Sequence, residues 1–109
     1  MKTTATDQTD TFRTNDAQQR VAQILTLLAG REAEGIPQGA ICKAGKWAGS
    51  KVHNDLRNLR EAGLVERLAN GNWRLGPKLV QIAISHQTGL ARLRQQVDEI
   101  EQRYSRNPH

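Results

Sequence analysis

Residues 64–79, with the sequence LVERLANGNWRLGPKL, hold two short alternations of apolar and polar side chains on either side of Asn70-Gly71. An Asn-Gly pair between such alternations is the strongest short-range signal for a two-stranded hairpin. Pro77 follows almost at once, and proline is favoured in the first turn of a helix. Because an isolated hairpin is marginally stable in water, this one must pack against helices from the flanking sequence.

The pairing across the hairpin follows from a symmetric two-residue loop at the Asn-Gly pair, which places Arg67 opposite Arg74 and Leu68 opposite Trp73. Two cations directly opposite each other repel, and a phosphate bound between them would relieve the repulsion. We therefore predict a phosphate clamp formed by Arg67 and Arg74, the alternative being that both side chains extend into water toward Glu66. The predicted core face of the hairpin comprises Leu64, Leu68, Trp73 and Leu75, with Glu66 at its edge.

Apolar residues at helical spacing predict three helices before the hairpin. The first begins at Asn15 or Asp16 and ends near Gly30, the second covers about 38–44, and the third covers about 48–62. Their predicted inward side chains are Val21, Ile24, Leu25, Leu28, Ile41, Cys42, Ala48, Val52, Leu56 and Leu59, and both tryptophans, Trp47 and Trp73, are expected in the core. This order predicts a mainly α fold with a small β-hairpin, a winged helix-turn-helix followed by one or more C-terminal helices.

The third helix carries a polar face opposite its apolar stripe. At 100° per residue, Ser50, Asn54 and Arg57 lie opposite the stripe, with Lys51 and His53 on its flanks. The major groove of DNA admits one α-helix, and amide and guanidinium side chains can pair there with adenine and guanine. We predict that these five residues face DNA, the alternative being an ordinary solvated helix face.

The charge of the chain is concentrated in its middle. The formal net charge is +5, and residues 40–78 hold eight Lys and Arg side chains against three acidic ones. Such a basic stretch suits a surface that binds a polyanion, although a solvated, solubilising face would have the same composition.

The C-terminal sequence predicts a further amphipathic helix. After Pro77, the inward candidates are Leu79, Ile82 and Ala83. A seam with heptad spacing follows at Leu90, Leu93, Val97, Ile100 and Tyr104. Whether 77–104 forms one helix or breaks at Gly89 stays open. We expect 15–84 to form the winged domain and 85–105 to mediate a homodimer that reads two half-sites about 34 Å apart. Residues 1–14, rich in threonine, are expected to be a disordered leader.

Three stretches closely resemble the N-terminal DNA-binding domain of IclR-family bacterial transcriptional regulators: RVAQILTLLAG (20–30), SKVHNDLRNLREAGLVER (50–67) and NWRLGPKL (72–79). The resemblance covers about residues 20–84. It implies that the third helix is the recognition helix and the hairpin is the wing. By position, it implies that Ser50, Lys51, His53, Asn54 and Arg57 face double-stranded DNA, and that Arg67, Arg74 and Lys78 meet phosphates.

The sequence departs from this family at three points. Lys46 stands where the family has a turn glycine, with Gly45 before it, and Ala48 followed by Gly49 replaces the usual proline that opens the recognition helix. Family members carry a large effector-binding domain after the winged domain, whereas only about 25 residues follow here. We therefore expect a stand-alone regulator, for example of phage or prophage type, without a small-molecule effector.

Other classes of function have no support in the sequence. No GxSxG or phosphate-binding loop motif indicates an enzyme. The three histidines are far apart in sequence, and no CxxC or HExxH spacing indicates a metal, so no metal or other cofactor is expected. The single cysteine excludes an internal disulfide. No apolar run approaches the ~18 residues of a membrane span, so the expected location is the cytoplasm of a bacterium or of a phage host.

Overall fold

The computed structural model describes residues 11–106. Its elements are α1 (Asp16–Leu28), α2 (Gln38–Gly45), α3 (Gly49–Glu61), β1 (Val65–Arg67), β2 (Trp73–Leu75) and α4 (Pro77–Arg106). The predicted fold class, mainly α with a small β-hairpin, is confirmed. Most of the predicted leader, residues 1–10, lies outside the described residues.

Helix α1 begins where the sequence predicts and ends slightly earlier. The Asn15 side chain caps it by accepting a hydrogen bond from the Gln18 amide at 3.0 Å. The helix ends at Leu28, two residues before the predicted end at Gly30, which adopts a positive φ of 85° in the turn that follows. A glycine at that turn is consistent with its freedom to adopt left-handed conformations.

The core lies between the three helices and the hairpin. It consists of Ile24, Leu28, Ile41, Val52, Leu56, Leu59, Val65 and Trp73. Of the predicted α3 stripe, Ala48 alone is exposed, because it precedes the helix as its N-terminal cap. Cys42 and Trp47 are half-buried against the core, and Val65 is a core residue that the sequence prediction omitted.

Two neighbouring residues, Gly45 and Lys46, have different roles in the turn between α2 and α3. Lys46 has φ 56° and ψ 48°, a left-handed conformation that is unusual for a residue with a side chain. Gly45 has an ordinary φ, but a Cβ added to it would lie 2.3 Å from the ring of Trp47. The glycine is therefore needed for packing, while the lysine adopts the strained conformation.

The hairpin has a different register from the predicted one. Val65 pairs with Leu75, Glu66 with Arg74, and Arg67 with Trp73. A two-residue turn of the predicted kind needs positive φ at both central residues, whereas Gly71, with φ 89°, is the loop's one residue with positive φ. The loop instead contains three residues, 69–71, closed by a Leu68 amide that donates to the Asn72 carbonyl at 2.8 Å.

The changed register decides which hairpin residues reach the core. Val65 and Trp73 are each 2% exposed, whereas Leu64, Leu68 and Leu75 are half-buried. The Ile36 amide donates to the Trp73 carbonyl at 2.8 Å, so the loop before α2 adds a single bridge to the hairpin. These contacts explain how a two-stranded hairpin persists in this protein.

Helix α4 is one continuous helix of 30 residues, so the chain does not break at Gly89. Thirty residues of α-helix span about 45 Å. Leu79 is half-buried, but Ile82 is 54% exposed and Ala83 is also exposed, so the prediction that these two face inward is wrong. The helix has no buried residue, because it extends beyond the small core formed by the other elements.

Candidate nucleic-acid interface

The outer face of α3 is open to solvent along its length. Ser50, Lys51, His53, Asn54 and Arg57, the five residues predicted to face DNA, are all exposed. The ion pairs within residues 11–106 involve none of them. The cations on this face are therefore available to an external anion.

Gln38, the first residue of α2, connects that helix to the start of α3. Its Nε2 donates to the Gly49 carbonyl at 3.3 Å, and its Oε1 lies 3.4 Å from Nδ1 of His53. Both distances are at the long end for hydrogen bonds, so they restrain the two helices weakly. His53 is thus partly engaged within the protein, in contrast to Asn54 and Arg57.

A buried ion pair, absent from the sequence prediction, joins α3 to α1. Asp55 is 7% exposed, and both of its carboxylate oxygens accept hydrogen bonds from the Arg20 guanidinium, the second at 3.2 Å from Nη2. The hydrogen bond from Arg20 to Asp55 raises the pKa of Arg20 above its ordinary value. The pairing neutralises an acidic residue of α3 that lies on its inner side, so it adds no negative charge to the outer face.

The sequence does contain a signal for this pair. Asp55 falls within the apolar stripe between Val52 and Leu59, and a charged residue at such a position is almost never buried without a partner. The partner could not be identified because Arg20 is 35 residues away along the chain.

The predicted clamp between Arg67 and Arg74 does not form, because the two residues are not opposite each other. Arg74 faces Glu66, and its Nε donates to the Glu66 carboxylate at 2.6 Å. Its Nη1 also donates to the carbonyl of Glu32 at 2.9 Å. The repulsion between Arg67 and Arg74 on which the predicted clamp was based is therefore absent. The Arg74 guanidinium is instead bonded to groups of the protein itself.

Arg67 occupies a different environment on the opposite face of the hairpin. Its Nε donates to the Gly71 carbonyl at 3.2 Å, and its guanidinium lies 5.4 Å from the centre of the Trp73 ring. The guanidinium of Arg60, in the last turn of α3, lies 5.8 Å from the same ring centre. Arg60 was not among the predicted site residues. Lys78, at the start of α4, is exposed as expected.

The loop of the hairpin is hydrogen-bonded to the segment between α1 and α2. The Asn72 side-chain amide donates to the Glu34 carbonyl at 3.0 Å, and the Asn70 amide reaches the same carbonyl at 3.4 Å. The hairpin is thus held at its tip as well as at its base, where Gly76 donates to the Leu64 carbonyl at 2.8 Å.

The seam of α4 presents an apolar surface without a covering element. Its five side chains are between 38% and 77% exposed: Leu90, Leu93, Val97, Ile100 and Tyr104. They share one side of the helix because their spacing alternates between three and four residues. Val80 and Ile84, also more than half exposed, lie on another side.

Within residues 11–106, no group of three or more potential metal-ligating side chains comes together. The described helices include none that is long and apolar enough to cross a membrane.

Comparisons with known proteins identify the fold. No protein-family model and no curated protein matches the chain. The solved structure of the Agobacterium tumefaciens repressor BlcR matches with a TM-score of 0.58 and 28% sequence identity, over 66% of this chain and 29% of BlcR. Staphylococcus aureus MepR, in a structure bound to ethidium bromide, matches with a TM-score of 0.51 and 22% identity, over 85% of this chain and 69% of MepR.

These matches and the observed element order establish a winged helix-turn-helix fold, in which the hairpin is the wing. The chain spans less than a third of the length of BlcR.

Proposed function

We propose that this protein is a sequence-specific, double-stranded DNA-binding transcriptional regulator that acts as a homodimer. The observation that carries the proposal is the exposed outer face of α3, where Ser50, Lys51, Asn54 and Arg57 are free of ion pairs within the described chain. The likeness of this chain to a repressor, BlcR, over 66% of its length supports the same conclusion. The protein acts by binding and is not an enzyme.

The mechanism follows from the placement of α3 on the domain. The N-terminal part of a recognition helix contacts base edges in the major groove, and the residues there are polar or basic. Asn54 and Arg57 suit adenine and guanine, respectively, while Ser50, near the helix start, suits a phosphate. Glu61 lies at the C-terminal end of the same face, where a carboxylate disfavours entry into a groove lined with phosphates, so the N-terminal part enters the groove. Arg60 lies about 100° around the helix from Glu61 and is not on this face.

We further propose that the protein belongs to the IclR type, on the strength of the sequence motifs. The conformation of Lys46 supports this assignment, because position 46 is left-handed, the conformation that the family's turn glycine would favour. This assignment concerns the winged domain alone and does not extend to the effector-binding domain of that family. The expected setting is the cytoplasm of a bacterium or of a phage host.

The α4 seam is the proposed dimer interface. Five large side chains that are exposed along one side of a 30-residue helix gain apolar burial when a second copy covers them. A dimer would present two copies of α3 to two half-sites, which accounts for the use of such a helix in a DNA-binding protein.

The test is selection of bound sites from a random duplex pool at low salt. The proposal predicts enrichment of a palindromic motif, and competition by excess random duplex should not displace the selected site. Asn54→Ala should relax the preference at one base position in each half-site, whereas Gln95→Ala, on α4, should leave the motif unchanged. If no motif is enriched but duplex still binds, the protein is a nonspecific binder; if no duplex binds, the winged domain is a protein-interaction module instead.

A further inference from the structure

The guanidinium groups of two arginines from different elements lie near the ring of one buried tryptophan. Arg60 comes from the end of α3 and Arg67 from β1, and their guanidinium carbons lie 5.8 and 5.4 Å from the centre of the Trp73 ring. Trp73 is 2% exposed, whereas both arginines are exposed. The ring is therefore a fixed support that is anchored in the core, and the two charged groups are its solvent-facing neighbours.

Neither charge is neutralised by the protein. The ion pairs within residues 11–106 are Arg20–Asp55 and Arg74–Glu66, so Arg60 and Arg67 have no carboxylate partner there. Their guanidinium carbons can be no farther apart than the sum of the two ring distances, so the two charges are neighbours beside one ring. Each of them can therefore contact a phosphate of its own along one stretch of DNA backbone.

The hydrogen bonds leave the charged ends available. Arg67 uses Nε to donate to the Gly71 carbonyl, which leaves its two Nη groups for an external acceptor. A guanidinium within about 6 Å of a ring centre is attracted to the ring, and its planar array of N–H groups suits two-point contact with phosphate oxygens. Since the wing is also held at its tip by Asn72, the position of Arg67 relative to α3 is fixed before any ligand binds.

We propose that Arg60 and Arg67 together form a phosphate site that binds the backbone of duplex DNA where α3 and the wing meet. This site replaces the predicted clamp of Arg67 and Arg74, and it adds Arg60 to the interface. It rests on the proposed function, because the phosphates belong to the same duplex that α3 reads.

The experiment measures how the affinity for a fluorescent duplex depends on salt between about 50 and 200 mM. Each phosphate contact contributes about 0.9 to the slope of log K against log salt. Arg60→Gln and Arg67→Gln should each reduce the slope by about 0.9, and the double variant by about twice as much. Because Lys retains the charge, Arg60→Lys and Arg67→Lys should keep the slope near that of the unmodified protein.

Arg92→Gln, an exposed position on α4, is the matched control for the loss of one charge and should leave the slope unchanged. The site is refuted if the double Gln variant keeps the full slope, or if Arg92→Gln lowers the slope as much as Arg60→Gln does. If the unmodified protein binds no duplex at any salt concentration, the proposed function fails and this site with it. Reduced stability of a variant does not mimic the expected result, since the slope is measured on folded protein and is independent of Tm.

Discussion

The left-handed lysine between α2 and α3 allows a quantitative test of the turn that positions α3. Lys46 has φ 56°, and a left-handed conformation costs a residue with a Cβ about 1–2 kcal/mol. Glycine avoids this cost but has a more flexible unfolded state, which offsets about 0.4–1 kcal/mol of the gain. We therefore expect Lys46→Gly to be more stable than Lys46→Ala by about 1 kcal/mol, since both lack the lysine side chain.

The assay is thermal unfolding of both variants, followed by circular dichroism. For a domain of this size, about 1 kcal/mol corresponds to a rise of about 4–8 °C in Tm. Lys43, an exposed residue inside α2, provides the matched site. There the order should reverse, with Lys43→Gly less stable than Lys43→Ala by about 1 kcal/mol, because glycine is unfavourable in a helix interior.

If the glycine variant is not more stable than the alanine variant at position 46, or if the two sites show the same order, the left-handed conformation does not cost Lys46 stability. Both Lys46 variants lose the same charge, so their DNA affinities should agree at temperatures where both are folded. A difference in affinity would show that the turn conformation itself affects how α3 docks.

Three further perturbations test the packing, the ion pair and the seam. Gly76→Ala should lower the free energy of unfolding by at least 1 kcal/mol in a denaturant titration, because the new Cβ would lie 2.6 Å from the Gly63 carbonyl oxygen, which belongs to the backbone and cannot swing away. The double variant Arg20→Ala/Asp55→Ala should lower Tm by less than the sum of the two single variants, since the first loss already breaks the pair; additive effects in a double-mutant cycle would contradict the coupling. Leu93→Glu should shift the molar mass in sedimentation equilibrium toward the monomer, whereas Gln95→Glu should not; an unchanged mass for both would exclude the seam as the dimer interface.

Local sequence patterns were sufficient to predict the elements of this protein. The helices follow from apolar residues at spacings of three and four, and α1 begins at a capping asparagine, because these signals act between residues close in sequence. The exposed face of α3 follows in the same way, because the fixed helical period decides which residues share a face. The hairpin was predicted from Asn70-Gly71, but its register was not, because the number of loop residues with positive φ decides the turn type.

Only the tertiary structure decided which charges remain available to a ligand. Arg74 is paired with Glu66 because a one-residue change of register brought them together, and Asp55 is paired with Arg20 across 35 residues of chain. Arg60 and Arg67 meet at Trp73 because the core fixes the hairpin against the end of α3. Residue types determine what each side chain can bind, but packing between distant segments determines which of the charged side chains stay free of partners within the protein.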